Sequence, residues 1–365
     1  MRKGLATLIA LAFFTSSLTS TANAAIRVGG KCSTKGQIKS AQGKQFVCLK
    51  SGKKLTWRQL TTDSKKSAVT ETEFIPWSIP TSLNQELIAF HKNIDLWFKD
   101  KPLNKVSLNI YFDPQSFPSE IPWINDALTF QAQLMGQSDP ATYKIYFSKK
   151  DEWIISKRKE VMPGLDNWNP KYVCYEGINQ GCASSTSREA FFVWNATSLT
   201  SPAEDWQLTR SLSHEFFHIT QCDLVGDASK CGANFNNIPA WFAEGGPNVI
   251  GAIFMNRLGN LDYLKQRNLA LNIYANGLNG AYSPLSDFSK NIRYGNLYPY
   301  EIGMIACEYL IASAGLQAFF DLYVNLPKTG SFEEAFQKSF GIKLEDFYTA
   351  FDKSRENLAF YPVKV

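Results

Sequence analysis

The chain is 365 residues long, 44% hydrophobic, 19% charged and 14% aromatic, with a formal net charge of +5, seven cysteines and only three histidines. These proportions exclude a disordered, collagen-like or multi-span membrane protein. They leave room for a large core in one enzyme-sized domain.

In chain order, residues 1–24 place Arg2 and Lys3 before an apolar run from Leu5 to Phe14 and end in Ala22-Asn23-Ala24. That is the pattern of a signal peptide with an A-x-A cleavage site, so the mature protein is expected to be secreted, extracellular or associated with the cell surface. No later stretch of about 20 apolar residues predicts a transmembrane segment. Residues 25–60 then carry nine Lys or Arg and no Asp or Glu, which leaves −6 for residues 61–365. Such asymmetry predicts a small basic module whose partner is anionic, a cell-wall or surface polymer or a lipid headgroup before nucleic acid; a solvated spacer is the plain alternative.

Export permits disulfides, and spacing sorts six cysteines into local pairs: Cys32 with Cys48, Cys174 with Cys182, Cys222 with Cys231. Cys307 is left over, in an apolar helical pattern, as an expected buried thiol. Residues 61–75, rich in Thr, Ser, Lys and Glu, read as a linker to a domain over 76–365. Within it, Ser82–Phe98 and Trp123–Gly136 have helical periodicity, while Val106–Phe112, Tyr143–Phe147 and Ala190–Trp194 read as strands. Asn195-Ala196-Thr197 fits a glycosylation acceptor. From Ser201 onward helices dominate, with capping signatures at Ser201-Pro202-Ala203-Glu204 and Ser331-Phe332-Glu333-Glu334. The order of strands first and helices second predicts an α+β fold.

The helix opened at Ser201 runs into His214-Glu215-Phe216-Phe217-His218, an H-E-x-x-H sequence. At about 100° per residue, His214 and His218 project from one face one turn apart, so both imidazoles reach one tetrahedral ion. Glu215 is offset around the helix, placed to take a proton from water rather than to ligate. Two histidines do not close a zinc site; a third protein ligand is required. His91, far upstream on a predicted helix, reads as a structural or surface histidine.

Twenty-six residues past His218, Trp241-Phe242-Ala243-Glu244-Gly245 resembles the W-[LF]-x-E-G sequence of gluzincin metallopeptidases of the peptidase MA-like group. The resemblance implies a zincin-like domain and makes Glu244 the third zinc ligand. Asn248, one turn on, is expected to hydrogen-bond a ligand imidazole. Gly245-Gly246-Pro247 departs from the family's usual continuation, and Pro247 is expected to bend or interrupt the helix. Further on, Tyr298-Pro299-Tyr300-Glu301-Ile302-Gly303 resembles the Y-[ES]-K-G stretch of aminopeptidase-N-like enzymes, which implies Tyr300 as the oxyanion donor. Tyr294 and Tyr298 are rivals for that role, and Ile302 replaces the family lysine. The resemblance extends over roughly residues 100–355 through the C-terminal helices; the G-x-M-E-N sequence that binds a free substrate amine is absent.

The reading that follows is a secreted zinc metallopeptidase, an endopeptidase acting on peptide or protein substrates. Zinc is expected on His214, His218 and Glu244, with Glu215 as general base and Tyr300 steadying the oxyanion. The alternative is a surface or cell-wall-associated binding protein on a catalytically weak or inactive zincin scaffold.

Overall fold

The computed structural model describes residues 27–33, 38–41, 44–51, 54–60, 83–99, 101–117, 121–136, 142–163, 180–184, 187–194, 206–225, 238–277, 283–289 and 299–354. The expected signal segment, linker, glycosylation acceptor at Asn195 and cap at Ser201 lie outside the described residues.

The basic segment folds as a three-stranded antiparallel sheet, β1 (Ile38–Ala41), β2 (Lys44–Ser51) and β3 (Lys54–Leu60), in the order β1-β2-β3. Phe46 and Cys48 bury on one face of β2 against Trp57 of β3, and Cys48 is bridged to Cys32. So small a cluster needs its covalent staple. Arg27, Lys31 and Lys54 are exposed on this module.

The main domain is mixed α+β and mostly helical. Its first half comprises α1 (Leu83–Lys99), β4 (Ser107–Phe112), α2 (Pro122–Met135), β5 (Thr142–Ser148), α3 (Asp151–Val161), β6 (Gln180–Ser184) and β7 (Glu189–Val193). The sheet order is β4-β5-β7-β6, with β4, β5 and β7 parallel and β6 antiparallel on the edge. Strands β5 and β7 are covered on both faces, so their aromatic runs are buried in succession rather than alternating with polar residues. Phe147 and Phe192 face the main core, while Tyr146 and Phe191 face Ile154 of α3. Among the elements not foreseen from sequence, α3 buries only Ile154 and Arg158; the Arg158 guanidinium donates to both carboxylate oxygens of Glu189 on β7.

Among the described residues seven α-helices follow: α4 (Trp206–Val225), α5 (Ala240–Leu258), α6 (Tyr263–Gly277), α7 (Pro299–Ala314), α8 (Leu316–Asn325), α9 (Phe332–Phe340) and α10 (Leu344–Ser354). Ser331 caps α9 as expected, its hydroxyl accepting from the Glu334 amide at 3.2 Å. Phe319, Phe320, Phe332, Phe336, Phe340, Phe347 and Phe351 are all buried, as expected of core. Glu308 of α7 accepts from Tyr263 at 2.6 Å and Arg267 at 2.7 Å, which fastens α6 to α7 through a buried ion pair.

Helix α5 is buried along nearly its whole length, packed between α4 and α7. Its glycines make that possible. A Cβ on Gly245 would lie 2.1 Å from the carbonyl carbon of Gly303 on α7, and one on Gly251 would lie 3.2 Å from the His214 amide nitrogen on α4. Gly245 and Gly303 therefore face each other at a backbone-to-backbone contact that no side chain fits. Pro247 does not interrupt α5, contrary to the expectation, since the helix continues to Leu258. The preceding residue is Gly246, which has no Cβ to meet the proline ring, so the steric objection to an α conformation before proline is reduced.

The cysteine expectations hold where they are described. Cys182 on β6 and Cys222 on α4 are disulfide-bonded, and Cys307 is a free, buried thiol. Pairings to Cys174 and Cys231 fall outside the described residues. Among the described residues no single helix is long and apolar enough to cross a membrane.

A Gly245→Ala substitution should force α5 and α7 apart and cost about 3 kcal/mol or more, as overpacking against backbone does. Chemical denaturation of the variant beside wild type measures it.

Candidate metal centre

His214 and His218 lie one turn apart on α4, and Glu244 lies in the second turn of α5, brought opposite them by the α4–α5 packing. The two imidazole Nε2 atoms are 3.1 Å apart, and Glu244 Oε2 is 3.5 Å from the first and 3.4 Å from the second. Among the described residues this is the cluster of His, Cys, Asp or Glu whose donor atoms converge closely enough for a metal ion.

The tautomers can be read from the second layer of hydrogen bonds. Asn248 Nδ2 donates to the Tyr300 carbonyl at 3.0 Å, so its Oδ1, 2.8 Å from His214 Nδ1, accepts a proton from that nitrogen. Gln221 stands in the same relation to His218, its Oε1 2.9 Å from Nδ1 while its Nε2 donates to Tyr323. With both Nδ1 atoms protonated, both Nε2 lone pairs point into the space shared with the Glu244 carboxylate. Three electron-rich atoms facing one another repel unless a cation or proton lies between them. Ligands about 2.0–2.1 Å from a tetrahedral zinc are separated by about 3.4 Å, which the observed 3.1–3.5 Å edges match. The donor set therefore fits zinc.

Electrostatics in the metal-free protein agree. Burial disfavours the imidazolium of His218, but the hydrogen bond and charge of Glu244 outweigh it and lift its pKa to about 9. Burial likewise opposes ionisation of Glu244, yet the two imidazoles hold its carboxyl well below the usual range. Glu215 is different: burial pushes its pKa upward, with the Glu244 charge adding to that, and the histidines only partly compensate. Its Oε1 is 4.0 Å from His214 Nε2, beside the ligands and outside their cluster.

Tyr300 opens α7, exposed, with its ring stacked against His214 at 5.8 Å between centroids. The neighbouring Glu301 is buried and faces Arg210 of α4 across 4.0 Å. Tyr294 and Tyr298 lie outside the described residues. Ile302 is fully buried in the core. His91 lies on α1 with its ring edge-on to Phe90 and Tyr263, remote from the cluster, as expected. A cavity of about 460 Å³ lined by Trp97, Lys101 and Phe320 does not reach the cluster either.

Sequence reasoning missed Gln221, although its place three residues after His218 on the same helix was a usable signal. It also missed Arg210 and the approach of Gly181 on β6, whose hypothetical Cβ would be 2.9 Å from Glu215 Cγ. No protein-family model matches the chain, and no curated protein matches it.

Metal binding should displace the proton that His218 holds at neutral pH, because its pKa of about 9 lies above 7. Zinc affinity should accordingly rise about tenfold per pH unit from 7 toward 9, with about one proton released, measured by calorimetry in buffers of different ionisation enthalpy. Asn248→Ala or Gln221→Ala should weaken zinc binding by about 10–100-fold.

Proposed function

We propose that the protein is a secreted zinc metallopeptidase of the gluzincin type, acting as an endopeptidase on a zincin-like scaffold. The observation that carries this reading is the convergence of His214 Nε2, His218 Nε2 and Glu244 Oε2 beside a half-buried Glu215 that stands outside their cluster. When bound, zinc supplies Lewis acidity, which lowers the pKa of water and polarises a carbonyl. The remaining work falls to side chains of this chain.

Glu215, with its pKa raised by burial, accepts a proton from the attacking water and delivers it to the leaving amine. Tyr300, held against His214 and exposed, donates a hydrogen bond from its hydroxyl to the oxyanion while staying protonated. Asn248 and Gln221 fix the two imidazoles in the tautomer that offers Nε2. Among the described strands β6 pairs along one edge only, with β7, and it packs on α4 at Glu215. An extended peptide adding to that edge brings its backbone alongside the base, which favours a peptide substrate in β conformation.

The features that favoured a degenerate binding protein have packing explanations. Gly245 and Gly246 admit α7 and α8, and Ile302 fills the core where a lysine would be buried. The exposed Arg27, Lys31 and Lys54 of the disulfide-bridged module support attachment to an anionic cell-wall or surface polymer, with residues 1–24 directing export.

Glu215→Gln should keep its zinc and lose at least about 100-fold in kcat on unfolded casein. Metal content and peptide release measured on the same preparation test this; full activity with bound zinc would overturn the mechanism.

A further inference from the structure

Strand β6 is short, and its sequence, Gln-Gly-Cys-Ala-Ser, has little intrinsic preference for a strand. Its place on the edge of the sheet nonetheless sets it over α4, with Gly181 directly opposite Phe192 of β7. Residues 181 and 183 share a face by the two-residue period, and both are small. A Cβ on Gly181 would meet two side chains, lying 2.8 Å from Phe192 Cε1 and 2.9 Å from Glu215 Cγ.

The two neighbours differ in what they can give up. Phe192 is fully buried and stacked on Phe147, with centroids 4.7 Å apart and planes within 10°. A ring so enclosed moves only by repacking the sheet and core. The Glu215 side chain is 13% exposed and no hydrogen bond fixes its carboxylate among the described contacts, so it is the side that yields.

We infer that Gly181 is a positioning residue for Glu215: the absence of a side chain on the edge strand leaves the space in which the base is held 4.0 Å from His214 Nε2. This rests on the peptidase reading, in which Glu215 handles the proton. The edge strand then has two jobs, offering backbone to an extended substrate and walling the carboxylate toward the metal ligands. Any larger residue at position 181 pushes the carboxylate out of line without touching a ligand.

The test is Gly181→Ala, made alone and in a Glu215→Gln background, in the full mature chain. Expected results are a kcat reduced roughly 10–100-fold, as for an approximately 1 Å misplacement, with KM and zinc affinity near wild type. In the Glu215→Gln background the same substitution should bring no further fall, because its effect runs through Glu215. A readout independent of turnover is the side-chain carboxyl ¹³C resonance of Glu215 in the metal-free protein, assigned by its loss in Glu215→Gln, which should shift in Gly181→Ala. Unchanged kcat, or an equal loss in both backgrounds with the resonance unmoved, overturns the inference and leaves Gly181 as a packing residue for Phe192. If Gly181→Ala fails to fold, Phe192→Leu with and without Gly181→Ala removes the ring from the path and retains the contact with Glu215 as the one tested. Should Glu215→Gln keep wild-type hydrolysis, the peptidase mechanism fails, while the resonance still reports whether Gly181 sets the position of Glu215.

Discussion

The site depends on how closely helix α5 can approach its neighbours. Glu244 meets the histidines only because α5 lies deep between α4 and α7, and that depth is set by Gly245 against Gly303, where no side chain fits, and by the tighter-than-usual approach of Gly251 to the backbone at His214. Separating these helices by the width of a methyl group would carry the carboxylate away from Nε2 atoms now 3.4–3.5 Å distant. The packing of the core and the assembly of the metal ligands are thus one geometric problem. Gly245 and Gly303 are what allow the Glu244 turn to sit where it does.

A second constraint is electrostatic. Asn248 and Gln221 commit both imidazoles to present lone pairs inward, toward a carboxylate that is itself ionised. Such an arrangement is unfavourable without a cation, and the hydrogen bond and charge of Glu244, which raise the pKa of His218, favour a proton in that role when no metal is bound. Glu215 sits at the margin of the same field, close enough to feel the ligands and buried enough to hold a proton more readily than an ordinary glutamate. The different roles proposed for the two carboxylates follow from position, since Glu244 faces both Nε2 atoms and Glu215 does not.

Much of this was legible in the sequence where periodicity or spacing does the specifying. The helical step from His214 to His218 places two ligands without any tertiary information, and the aromatic runs at Tyr143–Phe147 and Ala190–Trp194 announce buried strands. The third ligand came from resemblance alone, because nothing local ties Glu244 to a helix 26 residues earlier. Strand β6 was invisible since Gln-Gly-Cys-Ala-Ser lacks β-branched and aromatic residues, and the need for a small residue at Gly181 against Phe192 and Glu215 is tertiary. Pro247 misled in the opposite direction: read locally it breaks a helix, whereas Gly246 before it and burial on all sides let α5 continue.

The most direct test of the central claim is the metal content of the mature protein and of Glu244→Gln, measured by mass spectrometry after purification without chelator and paired with peptide cleavage. The account predicts about one zinc per chain, retained by wild type and lost from the variant together with a chelator-reversible activity. A wild-type chain that holds no metal and cannot be loaded with zinc would contradict it.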